Sequence, residues 1–196
     1  MSNRPQGKLL IVSGPSGAGK STVVRQLLKD CKLPLEMSVS ATTRPPRAGE
    51  QDCVDYHFLS NEEFNLRRKA GDFLECVEVF GRGYWYGTLK ETVTAGLKQG
   101  KWVLLEIDVD GAMKVIEAYP DALTIFVHPG SVEELERRLR SRGTESEAAI
   151  QRRLEVAKRE LSFSDRYRFV VVNDKVENAV QKICEILTSC GESINA

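Results

Sequence analysis

Residues 14–22 read GPSGAGKST. The apolar run KLLIVS (8–13) leads into them, and VVRQLLKD (23–30) leads out with Val23, Val24, Leu27 and Leu28 on one helical stripe. Gly14, Gly19, Lys20 and Ser21 satisfy the spacing GxxxxGK[ST], and the strand–loop–helix setting is the context that gives this spacing its meaning. The glycines let the backbone curl until its N–H groups point inward. The start of the following helix adds positive potential. Gly14, Pro15, Ser16, Gly17, Ala18, Gly19, Lys20, Ser21 and Thr22 therefore form a cradle for a nucleoside triphosphate. Lys20 reaches the β- and γ-phosphates and the Ser21 hydroxyl is a ligand for Mg²⁺. A flexible glycine turn is the bland alternative, and the setting disfavours it. The loop alone leaves a kinase, an ATPase and a GTPase open.

Such a loop needs a parallel sheet behind it, and the chain supplies one. VLLEID (103–108), LTIFVH (123–128) and FVVVN (169–173) are further runs apolar on both faces, which suits the centre of a parallel sheet. Helical stripes alternate with them. Val109, Met113 and Ile116 form one, closed by Pro120, and Val176, Val180, Ile183 and Leu187 form another. The expected fold is a three-layer α/β core with right-handed crossovers.

Two stretches interrupt this alternation. Residues 36–88 carry short strand signals (EMSVS, DYHFLS, FLECVEVF) around one helix, expected from Ser60 to about Gly71 and opened by the capping-box pair Ser60–Glu63. Residues 131–161 are helical and rich in arginine. Ser131–Glu134 and Thr144–Glu147 have capping-box spacing, and SRGTES (141–146) marks a break.

Charge and cysteine usage narrow the partners. Lys+Arg and Asp+Glu both number 28, so the net charge is zero, which argues against a nucleic-acid coat protein. No run approaches a membrane span, MSNRPQGK has no apolar signal core, and the five cysteines have no CxxC spacing. The expectation is a cytoplasmic protein with reduced thiols, with no membrane, nucleic acid or obligate protein partner. His57 and His128 lie far apart and read as ordinary strand-end residues.

What receives the phosphate is the next question. A Ras-type GTPase needs N-K-x-D to read its base, and NDKV (173–176) has the wrong order. TTRPPRAGE (42–50) places Arg44 and Arg47 around two prolines that stiffen the backbone. Two guanidinium forks on a stiff loop suit one dianionic phosphate. Taken alone, two solvated surface arginines would rival that reading.

The whole chain resembles the guanylate kinase family. The resemblance rests on LLIVSGPSGAGKST, SVSATTRPPRAGE, VDYHFLS, FLECVEVFG, YGT, LLEIDVDGA, RGTES and VVVND, in the family's order. It implies transfer of the γ-phosphoryl group of ATP to GMP, giving ADP and GDP with Mg²⁺. It also implies a P-loop NTPase core (about 7–35, 89–130 and 162–190), a β-rich GMP-binding insertion (about 36–88) and a helical lid (about 131–161). By the same resemblance, Arg44, Arg47, Tyr56 and Tyr86 hold the GMP phosphate. Ser40, Glu75, Thr88 and Asp108 read guanine. Chemistry agrees for Glu75, because a carboxylate only accepts and guanine shows two adjacent donors, N1–H and N2–H₂. The Ser40 and Thr88 hydroxyls are expected to donate to guanine O6. Arg138, Arg142 and Arg153 resemble lid arginines over the ATP phosphates, and Asn173 matches a position near adenine. Glu106, at a strand end, is expected near Mg²⁺ through water. Arg137, Arg140, Arg152 and Arg159 are expected to be solvated or paired with nearby glutamates.

One departure is GRGYW (81–85), longer than the family's usual turn before YGT, which leaves two alternatives: Tyr84 and Trp85 pack against the insertion, or they shift the register of Tyr86. Two rival readings stand beside this one. Another nucleoside monophosphate kinase would lack the Ser40–Glu75–Thr88–Asp108 set. A non-catalytic scaffold module would show a degraded phosphate loop.

Overall fold

The computed structural model describes residues 7–78, 83–141 and 146–192. Five strands are hydrogen-bonded in the order β2-β7-β1-β8-β9. They are β1 (Lys8–Ser13), β2 (Leu35–Met37), β7 (Trp102–Glu106), β8 (Leu123–His128) and β9 (Phe169–Val172). β2 runs parallel to β7, and β8 parallel to β9. A second sheet of four strands runs β4-β3-β6-β5, from β3 (Ala41–Thr42), β4 (His57–Phe58), β5 (Phe73–Glu78) and β6 (Trp85–Leu89). The helices are α1 (Lys20–Asp30), α2 (Asn61–Ala70), α3 (Lys90–Lys98), α4 (Val109–Ala118), α5 (Val132–Ser141), α6 (Glu147–Leu161) and α7 (Val176–Glu192).

The described chain forms two compact units. The described residues of the first are 7–10, 34–78, 83–105 and 110–122. Its second sheet packs Ala41, Phe73 and Leu89 against Phe64 of α2, with the Phe64 and Phe73 rings stacked 4.4 Å apart. The expected capping box at Ser60 forms in full. The Ser60 side chain accepts from Glu63 N, and the Glu63 carboxylate accepts from Ser60 N at 2.9 Å. EMSVS, grouped above with the short strands of the insertion, opens instead with β2, which pairs with β7 from Leu35↔Trp102 to Met37↔Leu104.

The described residues of the second unit are 11–33, 106–109, 123–141 and 146–192. Its α1 and α7 bury Val23, Val24 and Leu27 on one side and Val180, Ile183 and Leu187 on the other. Helices α5 and α6 share a cluster of Leu135, Leu139, Ile150, Leu154 and Ala157. Two local expectations change here, and a third in α4, most of which belongs to the first unit. Helix α6 is capped by Ser146, whose side chain accepts from Ala149 N, and not by Thr144, which lies outside the described residues. A serine immediately before the helix is placed to accept from the N–H of the third helical residue, in the first turn. FVVVN is not central. β9 ends the strand order, and Val170 and Val172 are exposed while Val171 is buried. The alternation reports one covered face and one face open to solvent, not a strand apolar on both faces. In α4 the buried stripe is Val109, Ala112 and Val115, with Met113 and Ile116 only half-buried.

Candidate active site

In the second unit, β1 delivers the chain into the glycine-rich loop and α1 leaves it. The N-cap of α1 is Gly19, in the left-handed region at φ 88°, and no side chain caps the helix. Its first turn also lacks acidic residues. A helix start without side-chain acceptors leaves its first N–H groups available to an anion. Lys20 folds back over the loop, with Nζ donating to the carbonyls of Gly14 (2.7 Å) and Pro15 (3.1 Å). Burial lowers the Lys20 pKa, opposed by Glu106, Glu160 and Asp108, while Arg153 adds to the lowering.

The Ser21 hydroxyl donates to Glu106 Oε1 at 2.5 Å, so the motif serine and the carboxylate at the end of β7 meet. This pair tests whether a divalent cation fits. A hydroxyl and a carboxylate are both hard oxygen donors of the kind Mg²⁺ takes. Among the described residues no group of three His, Cys, Asp or Glu could hold a metal. Asp108 follows β7 and is half-buried.

Loop and helices interlock through the predicted arginines. Arg138 donates through Nη2 to Asn173 O (2.7 Å), through Nη1 to Ala18 O (3.3 Å) and through Nε to Glu134 (2.7 Å). Buried Asn173 gives its Nδ2 to the same Ala18 carbonyl at 2.7 Å. Arg153 Nη2 donates to Ser16 Oγ at 2.6 Å, and Ser16 N donates to Glu160 Oε2 at 3.3 Å. Arg142 lies outside the described residues. Arg137 pairs with Glu134, and Arg140 with Glu136 and Glu147, as expected. The hydrogen bonds from Arg137 and Arg138 hold the Glu134 carboxyl at about 2. Thr22 is exposed at the loop's end.

The first unit gathers the acceptor-type residues. Arg44 is 8% exposed, an uncommon burial for an arginine, and is satisfied at all three nitrogens. Nε donates to the Tyr86 hydroxyl (3.1 Å), Nη1 to Pro45 O (2.7 Å) and Nη2 to Glu50 Oε1 (2.9 Å). Its guanidinium also lies over the rings of Tyr56 (5.5 Å) and Phe58 (5.9 Å), and Tyr56 meets Tyr86 edge-on at 5.7 Å. Arg47 is exposed. Register explains Tyr86. β6 pairs with β3 so that Tyr86 faces Thr42, two residues before Arg44. Of the two aromatic residues before it, Trp85 packs, with Phe64 at 6.2 Å and Arg68 at 4.4 Å. Tyr84 is exposed, so of the two only Trp85 follows the packing alternative, and Gly81 and Arg82 lie outside the described residues.

Glu75 and Thr88 are cross-strand partners in β5 and β6, both buried, and Thr88 Oγ1 donates to Glu75 Oε1 at 2.8 Å. The threonine proton expected on guanine O6 is thus engaged by the carboxylate. Ser40 is half-buried, and its carbonyl accepts from His57 N at 2.9 Å. Sequence reasoning missed Glu50, Glu160 and the bond from Arg138 to Glu134. Glu50 had a local signal, an acid three residues after Arg47 in a turn with glycine, and Glu134 had its spacing of four from Arg138.

A glycine-rich loop at the head of an uncapped helix, fed by a strand of a parallel sheet, is the architecture of a P-loop NTPase core. The family model for guanylate kinase matches residues 6–190. A guanylate kinase of Rhodopirellula baltica is 60% identical over 182 residues, covering 92% of this chain and 87% of that protein. One of Caldanaerobacter subterraneus is 47% identical over 187 residues, covering 95% and 89%. The crystal structure of guanylate kinase from Anaplasma phagocytophilum superposes with a TM-score of 0.77 at 34% identity, covering 94% of this chain and 86% of that one. The chain belongs to the guanylate kinase family.

Proposed function

We infer that this protein is a guanylate kinase, an ATP:GMP phosphotransferase that moves the γ-phosphoryl group of ATP to GMP and yields ADP and GDP. The observation that carries the reading is the buried Glu75–Thr88 pair standing in the same chain as an intact phosphate loop. The loop supplies a donor site and the pair supplies a base-reading carboxylate.

Roles follow from chemistry. Residues Gly14 to Thr22 wrap the ATP phosphates, and Lys20 exchanges its two carbonyl partners for phosphate oxygens. Asn173 lies on the adenine side. Arg44, Arg47, Tyr56 and Tyr86 hold the GMP phosphate. Because Tyr86 accepts from Arg44 Nε, its own proton is available to that phosphate. Ser40, Glu75, Thr88 and Asp108 select guanine, with Thr88 acting first on Glu75. Arg138, Arg142 and Arg153 spread positive charge over the transferring phosphoryl group. Mg²⁺ fits at Ser21 and Glu106, where it would neutralise phosphate charge. No covalent intermediate is needed, since phosphoryl transfer requires alignment, charge stabilisation and exclusion of water. The core, GMP-binding and lid segments proposed from sequence assign these roles to 7–35, 89–130 and 162–190, to 36–88 and to 131–161.

No helix among the described residues is long and apolar enough to cross a membrane. With the free thiols, this supports a cytoplasmic site of action on the small molecules ATP and GMP. The test is steady ADP formation with ATP and each of GMP, AMP, UMP and CMP. Turnover with GMP far above the others is expected. Turnover independent of GMP, or preferring another monophosphate, overturns the assignment.

A further inference from the structure

The loop TTRPPRAGE ends on a glutamate to which the phosphotransfer assigns no task. Its backbone closes a turn, Glu50 N donating to Arg47 O at 3.1 Å. Gly49 occupies the third position at φ 88°, the left-handed conformation that a type II turn needs there. The turn aims the glutamate side chain back along the loop. One carboxylate then serves both ends of the stretch, with Oε2 accepting from Arg47 N at 2.7 Å and Oε1 from Arg44 Nη2 at 2.9 Å.

We propose that Glu50 is a positioning residue for the acceptor phosphate, holding the Arg44 guanidinium in one plane and closing the turn that carries Arg47. This rests on the reading of Arg44 and Arg47 as ligands of the GMP phosphate.

A guanidinium has five N–H donors. One bond at each nitrogen of Arg44, to Tyr86, Pro45 and Glu50, fixes its plane and leaves a further N–H on each Nη for an anion. Of the three partners only Glu50 is charged, and charge-assisted bonds are the stronger and shorter class. Its side chain is 19% exposed and that of Arg44 is 9%, so solvent competes weakly for either. Burial acts against the Arg44 charge, yet the bonds from Glu50 and Tyr86 raise its pKa. The prolines at 45 and 46 lack N–H groups, so the loop cannot brace itself by backbone bonding there. The glutamate side chain replaces that missing brace.

Charge alone would argue against a carboxylate beside a dianion site. Neutralising it should tighten phosphate binding if Glu50 were only a neighbouring charge. Positioning gives the opposite sign. Glu50→Gln keeps the size but offers one acceptor where two are used, so either Arg44 or the Arg47 N–H loses its partner.

The experiment measures GMP affinity by calorimetry and the kinetic constants for both substrates in the wild type, Glu50→Gln, Arg44→Ala and the double variant. Glu50→Gln is expected to raise the GMP KM and Kd about tenfold, the scale of one hydrogen bond to a charged group, with the ATP KM nearly constant. In the Arg44→Ala background the same substitution should change GMP affinity by no more than about twofold, because coupled residues are non-additive. Unchanged or tighter GMP binding in Glu50→Gln overturns the proposal. So does a parallel loss of ATP affinity and melting temperature, which would make Glu50 a general structural residue. If Arg44→Ala itself leaves GMP affinity intact, the acceptor-site reading falls too. If Arg44→Ala weakens GMP while Glu50→Gln does not, positioning alone is refuted.

Discussion

Base selection offers the sharpest test. Glu75 is 6% exposed and is fixed on one side by the Thr88 hydroxyl at 2.8 Å. Thr88 is held in turn by the β5–β6 register, which places it directly opposite. Glu75→Gln keeps the volume, and its amide has one acceptor oxygen and one NH₂ donor. If the oxygen turns to Thr88, the NH₂ meets guanine N1–H and N2–H₂, donor against donor. If the oxygen turns to guanine, the NH₂ meets the Thr88 hydroxyl, which must reverse and give up its carboxylate. Either rotamer forfeits one hydrogen bond to a charged group, worth about 1.5–3 kcal/mol. That predicts a fall in kcat/KM for GMP of roughly tenfold to a hundredfold. AMP lacks the paired donors, so its kcat/KM should change little and the GMP-over-AMP preference should narrow. IMP lacks the N2 amino group and should lose less than GMP. The assay is competition among the three monophosphates at saturating ATP, with the ATP KM as control. A folded Glu75→Gln protein that keeps the full preference refutes the reasoning and moves base reading to Asp108.

Three further outcomes are expected. Lys20→Ala should lower kcat by on the order of a hundredfold or more, since a preorganised charge at the phosphates is lost, with melting nearly unchanged; near-normal turnover would remove the loop from the mechanism. Gly19→Ala puts a methyl group 2.5 Å from Asn173 Nδ2 and an L-residue at φ 88°. Left-handed strain of about 1–2 kcal/mol plus about 1 kcal/mol for the displaced amide bond should lower the Tm by roughly 4–12 °C, and an unchanged Tm would mean the loop relaxes freely. Glu134, held at about 2 by Arg137 and Arg138, has a depressed folded-state pKa, so its stabilisation is present above the ordinary carboxyl value of 4.5 and is lost as pH falls towards 2. Urea midpoints of the wild type and Glu134→Gln should therefore converge across that window, and by less in high salt; a constant gap would show that the ion pairs do not stabilise the fold.

What the sequence makes legible is what depends on near neighbours. The phosphate loop is nine consecutive residues whose spacing carries its chemistry. The Ser60–Glu63 box is a local exchange of bonds. The rest depends on partners far along the chain. Nothing near Ser16 announces Glu160, 144 residues away, and nothing near Ala18 announces Asn173 and Arg138. Edge or centre cannot be told from FVVVN, because an apolar run looks the same whether or not another strand follows it. Thr88 matched a family position as a reader of the base, but only the strand register reveals that its proton goes to Glu75. Glu50 stands between these cases, since its turn was legible and its second partner, Arg44, was not.

The exposed valines of β9 bear on how the protein behaves before it is folded. Val170 and Val172 lie in a run of β-branched residues at the end of the sheet, where an unpaired strand edge can take up another chain. A short apolar segment without proline or charge is also the composition that stacks into aggregates when exposed. Arg166 and Arg168 precede the run, and Asp174 and Lys175 follow it, so charge brackets the segment on both sides. Refolding yield at high protein concentration should thus depend on these four solvent-facing charges more than on any residue of the nucleotide site, and neutralising them would cost solubility while leaving catalysis intact.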